Sequence, residues 1–225
     1  MKRSLFLALT AFLLFASCTT TQLIDNWKNP DIDRYEPQKV LIVGLTSNIE
    51  ARKKYENQLK AEFELRGAEA VVSLSLFDPS FRTEKMTEEE LKTLENKLIE
   101  DGFDTVLLTK IIGVEDKIAF KEKYQGYNET HQTFTDDYLM HQDIFYNPEY
   151  YDEYTIYHSE TSMYCICPTK DRELIWKGYI DIVDPKSINE SVDDYIKLTI
   201  AVLEEQQLIN QKSIINKEEK EDLID

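Results

Sequence analysis

The chain has 225 residues, of which 43 are acidic and 26 are basic, so its formal net charge is −17 at pH 7. An acidic chain is repelled by nucleic-acid phosphates, and we therefore expect no nucleic-acid partner. Six Gly and six Pro exclude a low-complexity or collagen-like chain, and 42% hydrophobic content predicts one domain with a sizeable core.

The first 17 residues have the pattern of a secretory signal. A short cationic start precedes the apolar run 5–16, which is too short for a membrane span of roughly 20 residues. Residues 16–18, Ala-Ser-Cys, resemble the lipobox of bacterial lipoproteins, although Phe15 stands where Leu is usual. We predict a lipoprotein signal peptide over 1–17 and lipidation of Cys18. The alternative is an ordinary signal peptide that happens to be followed by a Cys.

The residues after Cys18 favour the outer membrane. Thr19 stands where an Asp would resemble an inner-membrane retention signal, and residues 19–23 lack an early acidic cluster. We expect a cell-envelope protein that reaches the membrane through its lipid anchor and faces the periplasm.

Residues 18–37 are predicted to form a tether and docking peptide. Trp27 is the bulkiest side chain in this segment. Because an exposed Trp is costly to leave in water, we expect it to pack on the domain; contact with a partner is the alternative.

The first predicted elements alternate between strand and helix. The apolar run 39–44 predicts a buried parallel-type strand. Ser47 and Glu50 have the spacing of a capping box, which opens a helix that ends before Gly67. This helix carries an apolar stripe at four-residue spacing, formed by Tyr55, Leu59 and Phe63. Residues 68–76 predict a second strand.

The next helix and strand complete this pattern. Thr87 and Glu90 form a second predicted capping box. Three leucines of the helix are expected to face inward and Gly102 to close it; they are Leu91, Leu94 and Leu98. Residues 104–114 predict a third strand. The β-α-β-α-β order favours an α/β layer with mainly parallel strands.

The carboxyl-terminal part changes character. Residues 155–167 and 173–183 predict two strands joined by a hairpin loop, and Ser187 can cap a last helix. The expected fold class is therefore α/β, with a β-α-β-α-β core, an antiparallel β hairpin and a C-terminal helix, in a single sheet with helices packed on it. The domain is expected to span 38–210, followed by the charged tail 211–225.

Besides Cys18, the chain has only Cys165 and Cys167. In a regular strand their Cα atoms would lie roughly 6.6–7 Å apart, at or beyond the usual limit for a disulfide. We expect two small buried residues; a disulfide or a metal role stays open.

This pattern of residues resembles a family of uncharacterised envelope lipoproteins of Bacteroidota-type bacteria. The matching features are Trp27 with Pro30, the strand 40–44, Arg52 with Tyr55, Glu56 and Leu59 ahead of Gly67, and the segment 174–178 before Asp184 and Pro185. The resemblance implies an α/β domain similar to the amino-terminal domain of the Tol system's periplasmic protein. It also implies holding, recruiting or assembling other envelope components rather than catalysis.

One segment stands out chemically. Between Lys123 and Lys170 there is no Lys or Arg, yet this window holds all three His and nine of the thirteen Tyr. Its predicted insert, at about 128–153, is longer than most connections, which favours a function. Tyr-rich loops make good recognition surfaces, and we predict Tyr146, Tyr150 and Tyr151, together with Trp27, as contacts for an envelope protein or glycan.

The same segment suggests the alternative. Asp137 and His141 would share one face of a helix, with Asp143 nearby, so these three are candidate metal ligands. Templates such as Gly-x-Ser-x-Gly and the Walker loop are absent from the sequence. We therefore expect a non-catalytic binding or assembly lipoprotein without a cofactor. The alternative is a metal-dependent hydrolase that acts on an envelope glycan or lipid through 128–160.

Overall fold

The computed structural model describes residues 20–76, 86–120, 151–167 and 173–212. The strands in these ranges are β1 (Thr21–Lys28), β2 (Lys39–Leu45), β3 (Glu69–Val72), β4 (Thr105–Phe120), β5 (Tyr151–Cys165) and β6 (Leu174–Val183). The helices are α1 (Ile49–Glu64), α2 (Ser73–Leu76), α3 (Glu88–Glu100) and α4 (Ile188–Glu205). The order confirms the predicted α/β class, with a β-α-β-α-β core, an antiparallel hairpin and a C-terminal helix.

The six strands form one mixed sheet in the order β1-β6-β5-β4-β2-β3. Strand β2 is parallel to β3 and to β4, and the other pairs are antiparallel. This confirms the predicted single sheet with helices packed on it. Strand β1 was not predicted, because residues 18–37 were interpreted as a tether and docking peptide. An edge strand needs no continuous apolar run, and the polar residues of β1 hide its strand character.

Strands β4 and β5 form a hairpin with long arms. They pair from Thr105 with Cys165 to Phe120 with Tyr151, whereas β6 follows β5 only as far as Ile156. The arms therefore extend past the rest of the sheet. The predicted third strand, 104–114, was too short. The last three residues of the predicted insert, 151–153, belong to β5.

Two cores lie on opposite faces of the sheet. Helices α1 and α4 cover one face, where Leu59, Phe63 and Trp176 are fully buried. Helix α3 covers part of the other face, and Leu98 packs there with Leu41, Val43, Phe103 and Ile166. The prediction that Leu91 faces inward is wrong: its side chain is 52% exposed, because it lies in the first turn of α3, beyond this core.

The helix starts show which local signals succeeded. The capping box of Thr87 and Glu90 is present, and Ser187 caps α4 by accepting from the Glu190 N–H. The box predicted for Ser47 and Glu50 is wrong. Asn48 caps α1 instead, with its side-chain oxygen accepting from the Ala51 N–H.

The predicted second strand ends early. It stops at Val72, and residues 73–76 form α2. Ser73 is fully buried against Arg52 and Glu56, and these tertiary contacts end the strand.

Cys165 and Cys167 form a disulfide, with Cα atoms 5.3 Å apart. Strand β5 ends at Cys165, so the backbone turns before Cys167 and brings the two Cα atoms closer than strand geometry allows. The disulfide that the sequence left open is therefore present, and the assumption that both Cys lie in one regular strand was wrong. In the ranges described, no helix is long and apolar enough to cross a membrane.

Candidate functional site

A pocket lies between the first turns of α1 and α4, beside the carboxyl end of β2. Its volume is about 120 Å³. Crevices beyond the carboxyl ends of parallel strands are the usual ligand sites of open α/β sheets. The pocket is lined by Gly44, Leu45, Thr46, Ala51, Arg52, Tyr55, Thr109, Lys110, Ile111, Ser159, Ile182, Ser191, Val192 and Tyr195.

The walls of this pocket are mainly apolar. Leu45 and Ile111 come from two parallel strands, and Ile182 and Val192 come from β6 and α4. The rings of Tyr55 and Tyr195 meet edge to face, with centroids 5.9 Å apart. Such a lining favours an apolar group over a sugar or a charged ligand.

A chain of hydroxyl groups runs along the buried side of the pocket. Tyr55 bonds to Thr109, and Thr109 bonds to Thr161 with an O···O distance of 2.7 Å. Thr161 and Ser159 in turn bond to the Tyr195 hydroxyl at 2.7 and 3.0 Å. Burial raises the pKa of both Tyr55 and Tyr195, so both phenols stay neutral at physiological pH.

Ser191 differs from these hydroxyl groups. It lines the pocket with 6% of its surface exposed, and its Oγ atom has no hydrogen-bond partner. A buried polar atom without a partner costs about 1–3 kcal/mol and is rare in folded proteins. Among the buried atoms of the described residues that lack a partner, Ser191 Oγ is the one whose residue lines the pocket.

A buried ion pair between Arg52 and Glu56 holds the residues that line the pocket at the end of β2. Glu56 is fully buried and accepts from Arg52 Nε at 2.9 Å, from the Gly44 N–H at 3.0 Å and from the Leu74 N–H at 3.0 Å. Ser73 donates to the same carboxylate. These bonds join the end of β2, helix α1 and the short helix α2, and so fix the strand end that lines the pocket.

Helix α3 covers only part of its face of the sheet. A second set of interacting polar side chains lies on the uncovered part of that face. Lys110 and Lys177 each contact Glu160 at 3.1 Å, and Ser162 donates to it at 2.9 Å. Burial alone would raise the pKa of Glu160, but these three hydrogen bonds together lower it. The carboxylate of Glu160 already has three partners, on its own strand and on the two neighbouring strands, which indicates that this group of side chains has a structural role.

His158 lies on the same face. Its Nδ1 atom is 2.7 Å from Asp181 Oδ1, and its Nε2 atom is 3.6 Å from Glu115. The hydrogen bond with Asp181 is the largest cause of the raised pKa of His158. Among the side chains that the structure describes, no group of three or more His, Cys, Asp or Glu could hold a metal ion.

Most of the predicted site residues lie outside the described ranges. They are the lipidation site Cys18, the partner contacts Tyr146 and Tyr150, and the metal candidates Asp137, His141 and Asp143. Their predicted roles stay predictions.

The other two predicted contacts can be placed. Tyr151 is the first residue of β5, whereas Trp27 lies in β1 opposite Lys177 and is 45% exposed. Lys177 pairs with Ser162, which lies eleven positions along β5 from Tyr151, or roughly 36 Å of strand. Trp27 and Tyr151 therefore do not form one surface.

Sequence analysis missed the pocket. Its lining comes from two helices and four strands that are distant along the chain, and no local motif marks them. Ser191 gives no signal by itself, because it and Thr199 are both hydroxyl residues of the last helix.

No protein-family model and no curated protein matches the chain. Among solved structures, it is similar to the PelC dodecamer from Paraburkholderia phytofirmans, with a TM-score of 0.40 and 9% identity, covering 85% of this chain and 99% of that chain. It is also similar to the lipoprotein GNA1162 from Neisseria meningitidis, with a TM-score of 0.38 and 12% identity, covering 76% of this chain and 97% of that chain. Similarities of this size carry no conclusion about function.

Proposed function

We propose that this protein is a lipid-anchored envelope lipoprotein with a non-catalytic binding or assembly role, and that its pocket binds an apolar group. The observation that carries the binding role is the pocket between α1 and α4. It combines apolar walls with the unpartnered hydroxyl of Ser191. The ligand is a small, largely apolar group that offers one hydrogen-bonding atom to Ser191.

The size of the pocket limits this ligand. A cavity of about 150 Å³ holds a benzene ring, so about 120 Å³ holds one small ring or a few methylene groups. The neutral, hydrogen-bonded phenols of Tyr55 and Tyr195 supply neither a base nor a nucleophile at neutral pH. These features support a binding role.

The anchor is supported by the amino-terminal sequence. The lipobox-like residues 16–18 place Cys18 as the first residue of the mature chain. Several acyl chains on this residue would hold the protein on a bilayer stably. We assign it to the outer membrane, facing the periplasm, because Thr19 follows Cys18.

Labelled palmitate tests the anchor. Cells that produce the wild-type protein should incorporate label into it, and the Cys18→Ser variant should not. Equal labelling of both proteins would refute lipidation at Cys18.

Phenol and n-butanol, which are neutral, small enough for about 120 Å³ and carry one hydroxyl group each, test the pocket when titrated into the purified protein. Filling it with Val192→Trp should abolish binding. Leu65→Trp places the same bulk on the exposed carboxyl end of α1 and should leave binding unchanged. Binding that survives Val192→Trp would place the ligand elsewhere.

A metal-dependent hydrolase remains the alternative, carried by Asp137, His141 and Asp143 outside the described ranges. Metal analysis of protein purified without added ions distinguishes the two functions. Bound metal that is lost in His141→Ala would favour the hydrolase.

A further inference from the structure

One end of the sheet, which we call the apical end, gathers several features. Strands β2, β3 and β6 finish there, and β1 and β5 start from that side. A helix that joins two parallel strands runs back against them, so α1 and α3 begin at this end. Helix α4 also begins there because it follows β6 directly. The pocket opens between α1 and α4 at the same end.

Exposed apolar side chains are concentrated at the apical end. Eleven large apolar residues are exposed in the part of the chain that the structure describes. Three of them lie in β4, just beyond its last pairing with β2: Ile111, Ile112 and Val114. Five more lie at the end of β2, in α2, before α3 or in the first turns of α1 and α3: Leu45, Ile49, Leu76, Met86 and Leu91. Such a cluster on one end of a molecule indicates an interaction surface.

A β-bulge increases this exposure. The pairing of β4 with β5 shifts register between Ile111 and Gly113, so Ile112 falls outside the regular ladder. Consecutive residues Ile111 and Ile112 are 39% and 50% exposed, and Val114 is 59% exposed. The bulge therefore presents adjacent apolar side chains to the surroundings instead of burying every second one.

The charge of the apical end limits which lipids it can contact. Lys117 contacts Glu115, and Lys186 contacts Asp184. The first turns of the three helices that begin at this end also carry acidic side chains: Glu50, Glu88, Glu89, Glu90 and Glu190. We therefore expect contact with zwitterionic lipid headgroups rather than with anionic ones.

The amino terminus leaves the domain at the apical end. Thr20 donates its backbone N–H to Asp194 Oδ2 at 3.1 Å and accepts from the Val183 N–H at 2.7 Å. Only Thr19 separates Thr20 from Cys18. Two residues span at most about 7 Å, so a lipid on Cys18 lies within that distance of the apical end.

We propose that the apolar apical end rests on the bilayer that holds the Cys18 lipid. The lipid boundary covers the side chains of residues 111, 112 and 114, and the pocket opens toward the membrane. This inference rests on the lipid anchor of the proposed function. It goes further, because an anchor on a long tether would hold the domain near the membrane without orienting it.

An environment-sensitive fluorophore tests this orientation. The lipidated full chain carries either Ile112→Cys or Leu65→Cys, labelled at the new thiol, and is reconstituted in phosphatidylcholine vesicles that contain a nitroxide-labelled lipid. Leu65 is 46% exposed at the opposite end of α1 and provides the matched control. We expect blue-shifted emission and strong quenching by the nitroxide at position 112, and neither effect at position 65.

Flotation of the same vesicles separates the two proposals. If the protein does not float, the anchor fails. If it floats but the probe at position 112 behaves like the probe at position 65, the anchor stands and the membrane contact is refuted. Blue-shifted emission at position 112 without nitroxide quenching would mean that protein covers this end, which also refutes the inference.

Discussion

The carboxylate of Glu56, in the middle of α1, accepts a hydrogen bond from the backbone N–H of Gly44, at an N···O distance of 3.0 Å. The same carboxylate binds Arg52, and both side chains are buried. The last residues of β2 are therefore fixed by a helix that follows them in the chain. The pocket depends on this bond because Gly44 and Leu45 form part of its lining.

Replacing Glu56 by Ala should lower the free energy of unfolding by about 3–5 kcal/mol, because Arg52 would remain buried without its partner. Urea denaturation measures the loss. Glu64→Ala is the control: its carboxylate is 48% exposed and lies 3.6 Å from Lys60, so removing it should cost less than about 1 kcal/mol. Similar losses in the two variants would contradict the structural role of Glu56.

Ser191→Ala should leave the free energy of unfolding unchanged or raise it by about 1 kcal/mol, because it removes a buried hydroxyl group that has no partner. Thr161→Val removes a buried hydroxyl that bonds to Thr109 and Tyr195 and should cost about 1–3 kcal/mol. Thermal or urea denaturation compares the two. A loss in Ser191→Ala as large as that in Thr161→Val would show that Ser191 is hydrogen-bonded in the free protein.

Glu160 should make the protein sensitive to acid. Its pKa is lowered from 4.5, so its stabilising contribution is complete above pH 4.5 and is lost as the pH falls through the lower pKa of the folded state. Glu160→Gln should reduce stability at pH 7 and flatten the dependence of stability on pH below 4.5. Denaturation at a series of pH values tests this; a curve parallel to the wild type would contradict it.

The pKa of His158 should be measurable by NMR titration and should lie above 6.5. A raised pKa stabilises the fold below pH 6.5, and this contribution is lost as the pH rises through the pKa of the folded state. Asp181→Asn removes the main partner, at 2.7 Å, and should lower the pKa of His158. An unchanged titration in this variant would show that the contact does not persist in solution.

The segment 121–150 should be removable without loss of the fold. Phe120 and Tyr151 are paired across β4 and β5, so an Asn-Gly turn can join them in place of the 30 residues. The shortened protein should unfold cooperatively and keep phenol binding, while capture of an envelope partner through Tyr146 and Tyr150 is lost. Unaltered capture would show that this segment is not the contact, and loss of the fold would assign it a structural role.

Local signals in the sequence predicted much of the fold. The four-residue spacing of Tyr55, Leu59 and Phe63 predicted α1. The spacing of Thr87 and Glu90 predicted the capping box that begins α3. Predictions were wrong where two local signals compete for one position, or where contacts with residues distant in the chain determine the local structure. Ser47 and Asn48 are both good caps, and periodicity alone could not choose between them. 

The pocket could not be predicted for a related reason. Its hydroxyl chain joins Tyr55, Thr109, Thr161 and Tyr195, which come from four different elements. Each of these residues has an ordinary place in its own pattern, and only the sheet order brings their oxygen atoms together. Ser191 becomes notable only when its surroundings are known to lack a partner.

The pairing of β1 with β6 has a consequence for the amino terminus. Thr21 lies opposite Ile182, so this pairing closes a loop of about 160 residues. Bringing the ends of so long a loop together costs conformational entropy. The proposed acylation of Cys18 and removal of residues 1–17 both act on chain directly before β1. Pairing of β1 with β6 would hold the proposed anchor against the domain, so the same edge strand that completes the sheet would also set the distance between domain and lipid.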